Sequence, residues 1–312
     1  MTDPSTLVVV NPVSAGGQTI RRWPRIRAAL REAGVAIHAH LTLCPGDATA
    51  VTREEITHQG VRRVVVVGGD GTLNEAVNGC FDDRGAPLAA GVTVGLIPSG
   101  TGSDIRRTLG LPTDPGAAAR LLAGGATRTI DLGRIAFSDG THRLFVNVAD
   151  CGIGGEVVTR VNRSAEKHGG LLGTAVFLGV SVSELMTYRN RDVVLTIDGE
   201  SSRRRVQQVV IANGRCFGGG MRIAPAADPA DGLLEVVVVG DISRFGALRA
   251  VPRLFRGTHL RLAAVEVHRA RTIGIAPADG EVPPRFDVDG EQVGAAPAEI
   301  TVLPRALCFA AP

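Results

Sequence analysis

Aromatic side chains are scarce in this 312-residue chain: they form 4% of it, with a single Trp and a single Tyr. No basic patch is interleaved with aromatics, so nothing argues for a nucleic-acid surface. The formal net charge of +3 and pI near 8.8 are only mildly basic and do not argue for it either. The five cysteines (Cys44, Cys80, Cys151, Cys216, Cys308) show no pairing spacing and no Cys-x-x-Cys. That speaks against a zinc site and, with no signal peptide, fits a reducing cytoplasm. The longest apolar run, Leu171 to Val182, is about a dozen residues, where a bilayer span needs roughly 20. No transmembrane segment is therefore expected, and the protein reads as soluble or membrane-peripheral. No nucleophile elbow is present, which removes a Ser-His-Asp hydrolase. His38 and His40 alternate along a strand and form no metal constellation. Gly152 to Gly155 lacks the dinucleotide fingerprint.

What is present is an apolar, glycine-rich chain, 44% hydrophobic with 40 Gly, long enough for two domains. Its most telling stretch is Arg63-Val64-Val65-Val66-Val67-Gly68-Gly69-Asp70-Gly71-Thr72-Leu73-Asn74-Glu75-Ala76-Val77-Asn78. Four consecutive valines predict a strand buried on both faces, as in a parallel sheet. Gly68, Gly69 and Gly71 let the backbone turn and approach a ligand. Leu73 to Asn78 starts a helix. A strand, a glycine turn and a helix N-terminus make an anion site, because free N–H groups and the helix dipole point at one spot. Asp70 inside that turn would repel phosphate unless a metal or proton mediates, so the site suggests Mg²⁺-phosphate chemistry.

Two further strand-to-turn-to-helix units flank it. Leu7 to Val10 enters Asn11-Pro12-Val13-Ser14-Ala15-Gly16-Gly17, and Val92 to Ile97 enters Pro98-Ser99-Gly100-Thr101-Gly102-Ser103-Asp104. Alternating β and α elements predict a doubly wound parallel sheet with ligands at the strand C-terminal ends. From about Ile130 the texture changes to short β runs, including Leu144–Ala149, Val206–Ala212, Leu233–Val239 and Leu260–Val267, interrupted by one helical block over about 155–186. This predicts a β-sandwich. The expected organisation is an α/β domain over 1–129, a sandwich over 130–297, and a last segment, 298–312, whose strand could return to either domain, the first included. An exposed sandwich edge could pair in a homodimer. Arg203-Arg204-Arg205 reads either as a solvated hairpin edge or as contact with an anionic membrane surface.

In sequence order, these motifs resemble the diacylglycerol kinase catalytic-domain family, which includes bacterial lipid kinases and sphingosine and ceramide kinases. The likeness continues through Asp131-Leu132-Gly133, Asn147 to Gly154, Asn213-Gly214, Asp231-Gly232-Leu233-Leu234-Glu235 and Asp289-Gly290-Glu291, and so covers essentially the whole chain. It implies an ATP- and Mg²⁺-dependent lipid kinase at the inner face of the membrane, with diacylglycerol converted to phosphatidic acid in phospholipid biosynthesis and the reaction in a cleft between domains. It further implies that Gly68, Gly69, Gly71, Thr72, Asn74 and Glu75 wrap the ATP phosphates, and that Asn11, Pro12, Ser14, Gly16, Thr42 and Thr101 meet the nucleotide. Asp70, Asp104 and Asp131 form a water-linked Mg²⁺ network in this reading, although Asp104 also suits a plain helix cap. Asp228, Asp231 and Leu233 match a second metal site, where Asp231-Gly232 is equally a strong hairpin-turn signal. Glu291 is the general base, with Asp289 close by in a type I′ turn.

The chain departs from the family at Ser103, where Asn is common before the Asp, and at two lysine positions. A lysine common after the Asn-Pro-x-Ser-Gly turn is replaced by Gly17 and Gln18, and another in the second domain by Gly169-Gly170-Leu171-Leu172-Gly173. Arg21, Arg22, Lys167 and Arg222 are the candidate substitutes. These losses leave open a sphingoid or other lipid alcohol as acceptor, a soluble small-molecule or NAD-type kinase, and a catalytically impaired nucleotide- or lipid-binding module. Leu171 to Val182 would line an acyl pocket or form a core helix.

Overall fold

The computed structural model describes residues 6–100, 102–167 and 174–312, side chains of 162–178, 181 and 182 apart. It divides into two compact units, Met1–Asp131 with Arg305–Pro312, and Leu132–Pro304.

The first unit alternates strand and helix: β1 (Thr6–Val10), α1 (Ser14–Glu32), β2 (Ile37–Leu41), α2 (Asp47–His58), β3 (Arg63–Gly68), α3 (Asp70–Gly79), β4 (Thr93–Pro98), α4 (Asp104–Leu109) and α5 (Pro115–Gly124). Its strands run parallel in the order β2-β1-β3-β4. Val8, Val10, Val65, Val67 and Ile97 pack on Trp23, Ile26 and Leu30 of α1 and on Ala118, Ala119 and Leu122 of α5. The alternate residues Leu7, Val9, Val64 and Val66 are fully buried too, with α2 against β1 and α3 against β3. Burial on both faces is why these strands read as unbroken valine runs rather than alternating ones.

β5 (Thr127–Phe137) leads into the second unit. There follow β6 (His142–Phe145), β7 (Val148–Gly152), α6 (Ile153–Lys167), α7 (Thr174–Thr187), β8 (Arg191–Ile197), β9 (Glu200–Val206), β10 (Gln208–Ala212), β11 (Leu234–Val239), α8 (Arg244–Arg256), β12 (Val265–Ala270), β13 (Thr272–Pro277), β14 (Arg285–Val288), β15 (Glu291–Ala295) and β16 (Ala298–Ala310). One antiparallel sheet has the order β12-β11-β10-β7-β14-β15. The start of β16 pairs with β13, β13 with β8, and β8 with β9, all antiparallel. Inward residues of both layers, among them Phe145, Phe286, Val209, Ile211, Leu195 and Ile300, form the sandwich core. The end of β16 belongs to the first unit, where Cys308 and Phe309 pair in parallel with Thr93 and Val94 of β4.

The sequence pattern misses α8, which lies between two β runs. Gly246 and Pro252 mask it. Ser243 caps its start, its hydroxyl accepting the Gly246 N–H, and Gly257 ends it in the left-handed region. The Arg203–Arg205 triplet lies on β9 and is spent on ion pairs. Arg203 and Arg205 reach Asp192, Arg205 also reaches Asp241, and Arg204 reaches Glu266.

Candidate functional site

Four strand ends of the first unit are stitched together by backbone hydrogen bonds. Thr42 N–H donates to Val10, Asn11 N–H to Val67, and Ser99 N–H to Gly68. The turns after β2, β1, β3 and β4 therefore lie side by side. Asn11 Nδ2 donates to Thr72 Oγ1 at 2.9 Å, tying the first turn to the start of α3. Ser14 and Ser99 both meet the buried Thr19 hydroxyl at 2.6 Å. Pro12 lies between Asn11 and the exposed Val13. Ala15, Gly16 and Gly17 take three successive left-handed conformations, a geometry glycine adopts freely and alanine does not. The candidate lysine substitute Arg22 donates to Gln18 Oε1 at 2.7 Å, which puts a guanidinium beside the departed position.

The tightest point is between the second and third turns. Gly69 Cα is so near Gly100 that a Cβ on Gly100 would stand 2.5 Å from it. Among the described residues no side-chain cap covers the N-terminus of α3, which starts at Asp70. Asp70 Oδ2 accepts the Asp104 N–H at 2.9 Å, and both carboxylates converge on Gly102, whose added Cβ would lie 3.3 Å from Asp70 and 3.7 Å from Asp104. Arg107 Nη1 donates to Gly102 O at 2.8 Å and to Asp104 Oδ1 at 2.5 Å. Sequence reasoning passed over Arg107; its i,i+3 spacing from Asp104 on α4 was the available signal.

Other expected members are placed differently. Asn74 is fully buried and bonded by Asn78 Nδ2, and Glu75 Oε2 accepts the Ala48 N–H at the start of α2, so both look inward from α3. Asp131 is fully buried and accepts the Arg305 N–H at 2.6 Å. Thr101 and Gly169–Gly173 lie outside the described residues. Among the described residues no three His, Cys, Asp or Glu side chains are grouped to hold a metal directly. Two converging carboxylates on an open glycine do fit a hydrated Mg²⁺ carried in by phosphate.

In the second unit, Asp289 and Gly290 join β14 to β15 with φ of 50° and 93°, as a type I′ hairpin requires. The Asp289 carboxylate is buried and accepts three backbone N–H groups, from Val146 (2.8 Å), Asn147 (3.1 Å) and Val148 (2.9 Å). Glu291, the first residue of β15, pairs with Arg143 of β6 at 2.9 Å. Asp198, at the β8–β9 hairpin, collects the Arg271 and Thr272 amides in the same way. Gathering amides is thus a general device here for fixing a hairpin on its neighbour.

Two acids outside the expected set lie beside this hairpin. Asp150 of β7 stands in register with Asp287 of β14, and burial drives both carboxyls upward, Asp150 to about 7. Asp287 Oδ1 accepts the Gly290 N–H at 2.8 Å.

The 228–235 turn is organised locally. Asp228 accepts the Ala230 N–H, and Asp231 accepts the Leu233 N–H and pairs with Arg269. Glu235 Oε2 is buried with no hydrogen-bond partner among the described residues.

The parallel unit brings its glycine turns together at one sheet edge, and the sandwich unit carries Glu291 on a hairpin held by Asp289. Residues 5–135 match the family described as the diacylglycerol kinase catalytic domain, and residues 150–311 the one described as the YegS C-terminal NAD kinase beta sandwich-like domain. A diacylglycerol kinase of Mycobacterium tuberculosis is 33% identical over 308 residues, 96% of this chain and 92% of that protein. The Bacillus subtilis diacylglycerol kinase is 26% identical over 299 residues, 96% and 93% of the two chains. A crystal structure of a diacylglycerol kinase from Bacillus anthracis shares the fold with a TM-score of 0.71 at 22% identity, over 100% of this chain and 98% of that one. The chain belongs to the diacylglycerol kinase catalytic-domain family, and is a kinase. Membership of a kinase family implies use of ATP. Among the described residues no helix is long and apolar enough to cross a membrane.

Proposed function

We propose that this kinase transfers the γ-phosphate of ATP to a lipid hydroxyl in the presence of Mg²⁺, and that diacylglycerol is the acceptor, giving phosphatidic acid. The observation that carries the reading is the contact of the Gly69 and Gly100 turns with Asp70 and Asp104 converging on Gly102. Backbone amides and the Thr72 hydroxyl suit phosphate oxygens there, and the carboxylates suit the cation those phosphates bring. Mg²⁺, when bound, supplies neutralisation of charge on the phosphates. Asp70 and Asp104 would hold it, with Asp131 the third acid of the set, and Arg107 balances the charge of Asp104. Asn11, Ser14 and Gly16 shape the neighbouring phosphate turn, with Pro12 and Thr42 beside it. The names of the relatives support a lipid alcohol as acceptor.

Glu291 acts as the general base. The lipid oxygen attacks the γ-phosphorus in line, its proton passes to the Glu291 carboxylate, the bond to the bridging oxygen breaks, and ADP leaves. Arg143 and Asp289 are positioning residues in this scheme: one anchors the base, the other the hairpin that carries it. A second cation belongs at Asp228, Asp231 and Leu233. Glu235 Oε2 nearby, which has no hydrogen-bond partner among the described residues, supports it, and Arg269 competes for Asp231. The cytoplasmic face of the membrane is the place of work.

The test is phosphate transfer from labelled ATP to diacylglycerol, a sphingoid base, NAD and short soluble alcohols. Diacylglycerol should be labelled, and Asp70→Ala and Glu291→Ala should abolish labelling while the proteins stay folded. Full activity in both variants would remove the assigned roles. Labelling of NAD or soluble alcohols alone would remove the lipid.

A further inference from the structure

Helix α8 has two unlike sides. Ala247 and Val251 pack inward on Ile153, Val157, Leu185 and Tyr188, and Leu254 packs beneath them on a neighbouring cluster. The outer side carries Phe245, Leu248 and Phe255, which are 66%, 39% and 50% exposed. With Pro252 they stand at i, i+3, i+7 and i+10, one stripe along the helix. Arg249, Arg253 and Arg256 form a second stripe beside it at i, i+4 and i+7, and Arg244 opens the helix. All four arginines are exposed, no acid occurs in α8, and none of the four has an ion-pair partner among the described residues. The Arg203–Arg205 triplet is paired with acids, whereas among the described residues the α8 arginines, like the exposed arginines of α1, are not.

We propose that α8 is a membrane-docking helix, lying flat on an anionic bilayer with Phe245, Leu248 and Phe255 dipped below the headgroups and the arginines on the lipid phosphates. An interfacial helix has these properties: a tethered inner face, a narrow outer apolar stripe, and unpaired cations beside it. At 13 residues α8 is about 20 Å long, enough for several headgroups and too short to span. Charge selects the partner. A second copy of the chain would set four unpaired arginines against four more, whereas an anionic lipid surface supplies their counter-charge. The choice of a lipid surface rests on the lipid-kinase reading, since the acceptor of such an enzyme resides there.

The experiment is flotation of the full chain, without ATP, on vesicles of pure phosphatidylcholine and on vesicles with about 30% phosphatidylglycerol, together with phosphorylation of a water-soluble short-chain diacylglycerol. The wild type should bind the anionic vesicles at least tenfold more tightly, with the excess lost in high salt. Each arginine near the surface is worth about fivefold, so Arg249→Glu/Arg253→Glu should lose on the order of 50-fold or more in binding. Phe245→Ser/Phe255→Ser should lose at least about tenfold. Both variants should keep the rate on the soluble acceptor, because exposed side chains remote from the fold's core are changed. Equal flotation of wild type and variants, or no flotation of the wild type, overturns the docking helix and leaves the kinase reading standing. Self-association lost in the Phe variants, with vesicle binding intact, makes the face a contact between copies and also overturns it. Vesicle binding with no labelling of any acceptor leaves the helix and removes the lipid-kinase reading.

Discussion

Asp150 and Asp287 stand directly across from each other on the antiparallel strands β7 and β14, the first buried and the second half-buried, two carboxyls in one register position. Gly154 makes room for them: a Cβ there would lie 1.9 Å from Asp150 Oδ1, an oxygen with no hydrogen-bond partner among the described residues. Two charges cannot both be kept in such a place, so the pair retains a proton. Asp287 also receives the Gly290 N–H, which links the pair to the hairpin that carries Glu291.

The sign of the pH effect follows. Burial raises Asp150 to about 7, and burial with the neighbouring Asp150 raises Asp287, whereas unfolded aspartates titrate near 4. Between about pH 4 and pH 7 the folded state holds more protons than the unfolded state, so this pair's stabilising contribution declines as pH rises through that window. Asp150→Asn removes one of the two charges. At pH 8 its Tm should rise by on the order of 5 °C over wild type, and the gain should vanish at pH 4–5. Parallel Tm curves for the two proteins across pH 4–8 would remove the shared proton.

Gly100→Ala tests the contact of the two turns. Its Cβ would sit 2.5 Å from Gly69 Cα and 3.1 Å from Gly69 N, with backbone on both sides and no flexible side chain to give way. The turns must part, at about 1–3 kcal/mol of stability. Nucleotide affinity by calorimetry should fall at least about tenfold, since backbone donors a fraction of an ångström out of place no longer fit phosphate. Wild-type affinity in the variant would place the nucleotide elsewhere.

Glu291→Gln and Arg143→Met separate the proposed base from the arginine it pairs with. The first should cut kcat by about 10²–10⁴, the range of a lost general base, with ATP affinity unchanged. The second leaves the carboxylate present and unanchored, so kcat should fall by about tenfold and the pH–rate profile should move. An Arg143→Met profile that overlays wild type would confine Arg143 to a structural role.

Arg269→Ala bears on the 228–235 turn. Arg269 pairs with Asp231, and Glu235, raised mainly by burial, is lowered by Arg269 and raised by Asp231. Without the guanidinium, Asp231 and Glu235 need another cation. Millimolar Mg²⁺ should then raise the Tm of the variant by several degrees more than that of wild type. Equal responses would leave this turn without a metal.

Much of the fold was legible because its signals are local. The valine runs of β1 and β3 announce strands covered on both faces, and Asp289-Gly290 announces a two-residue hairpin with positive φ at both residues. Helix α8 was not legible, because Gly246 and Pro252 carry breaker signals that its cap and its packing on Tyr188 and Leu185 override. Asn74 and Glu75 share the motif of the phosphate turn, yet the period of α3 turns them inward, toward Asn78 and Ala48.

The sequence by itself determined the chemistry of each turn: which residues bend without a Cβ, which strands are buried, and where an acid follows a glycine. Those properties depend on neighbours within a few residues, and composition and period record them. Only the tertiary structure decided which distant groups meet. Gly69 touches Gly100, Arg143 reaches Glu291 across 148 residues of chain, Asp150 faces Asp287, and the arginines of α8 face outward with no ion-pair partner among the described residues. Such meetings follow from strand register and from how the buried helix faces dock on their neighbours, and no local pattern encodes either.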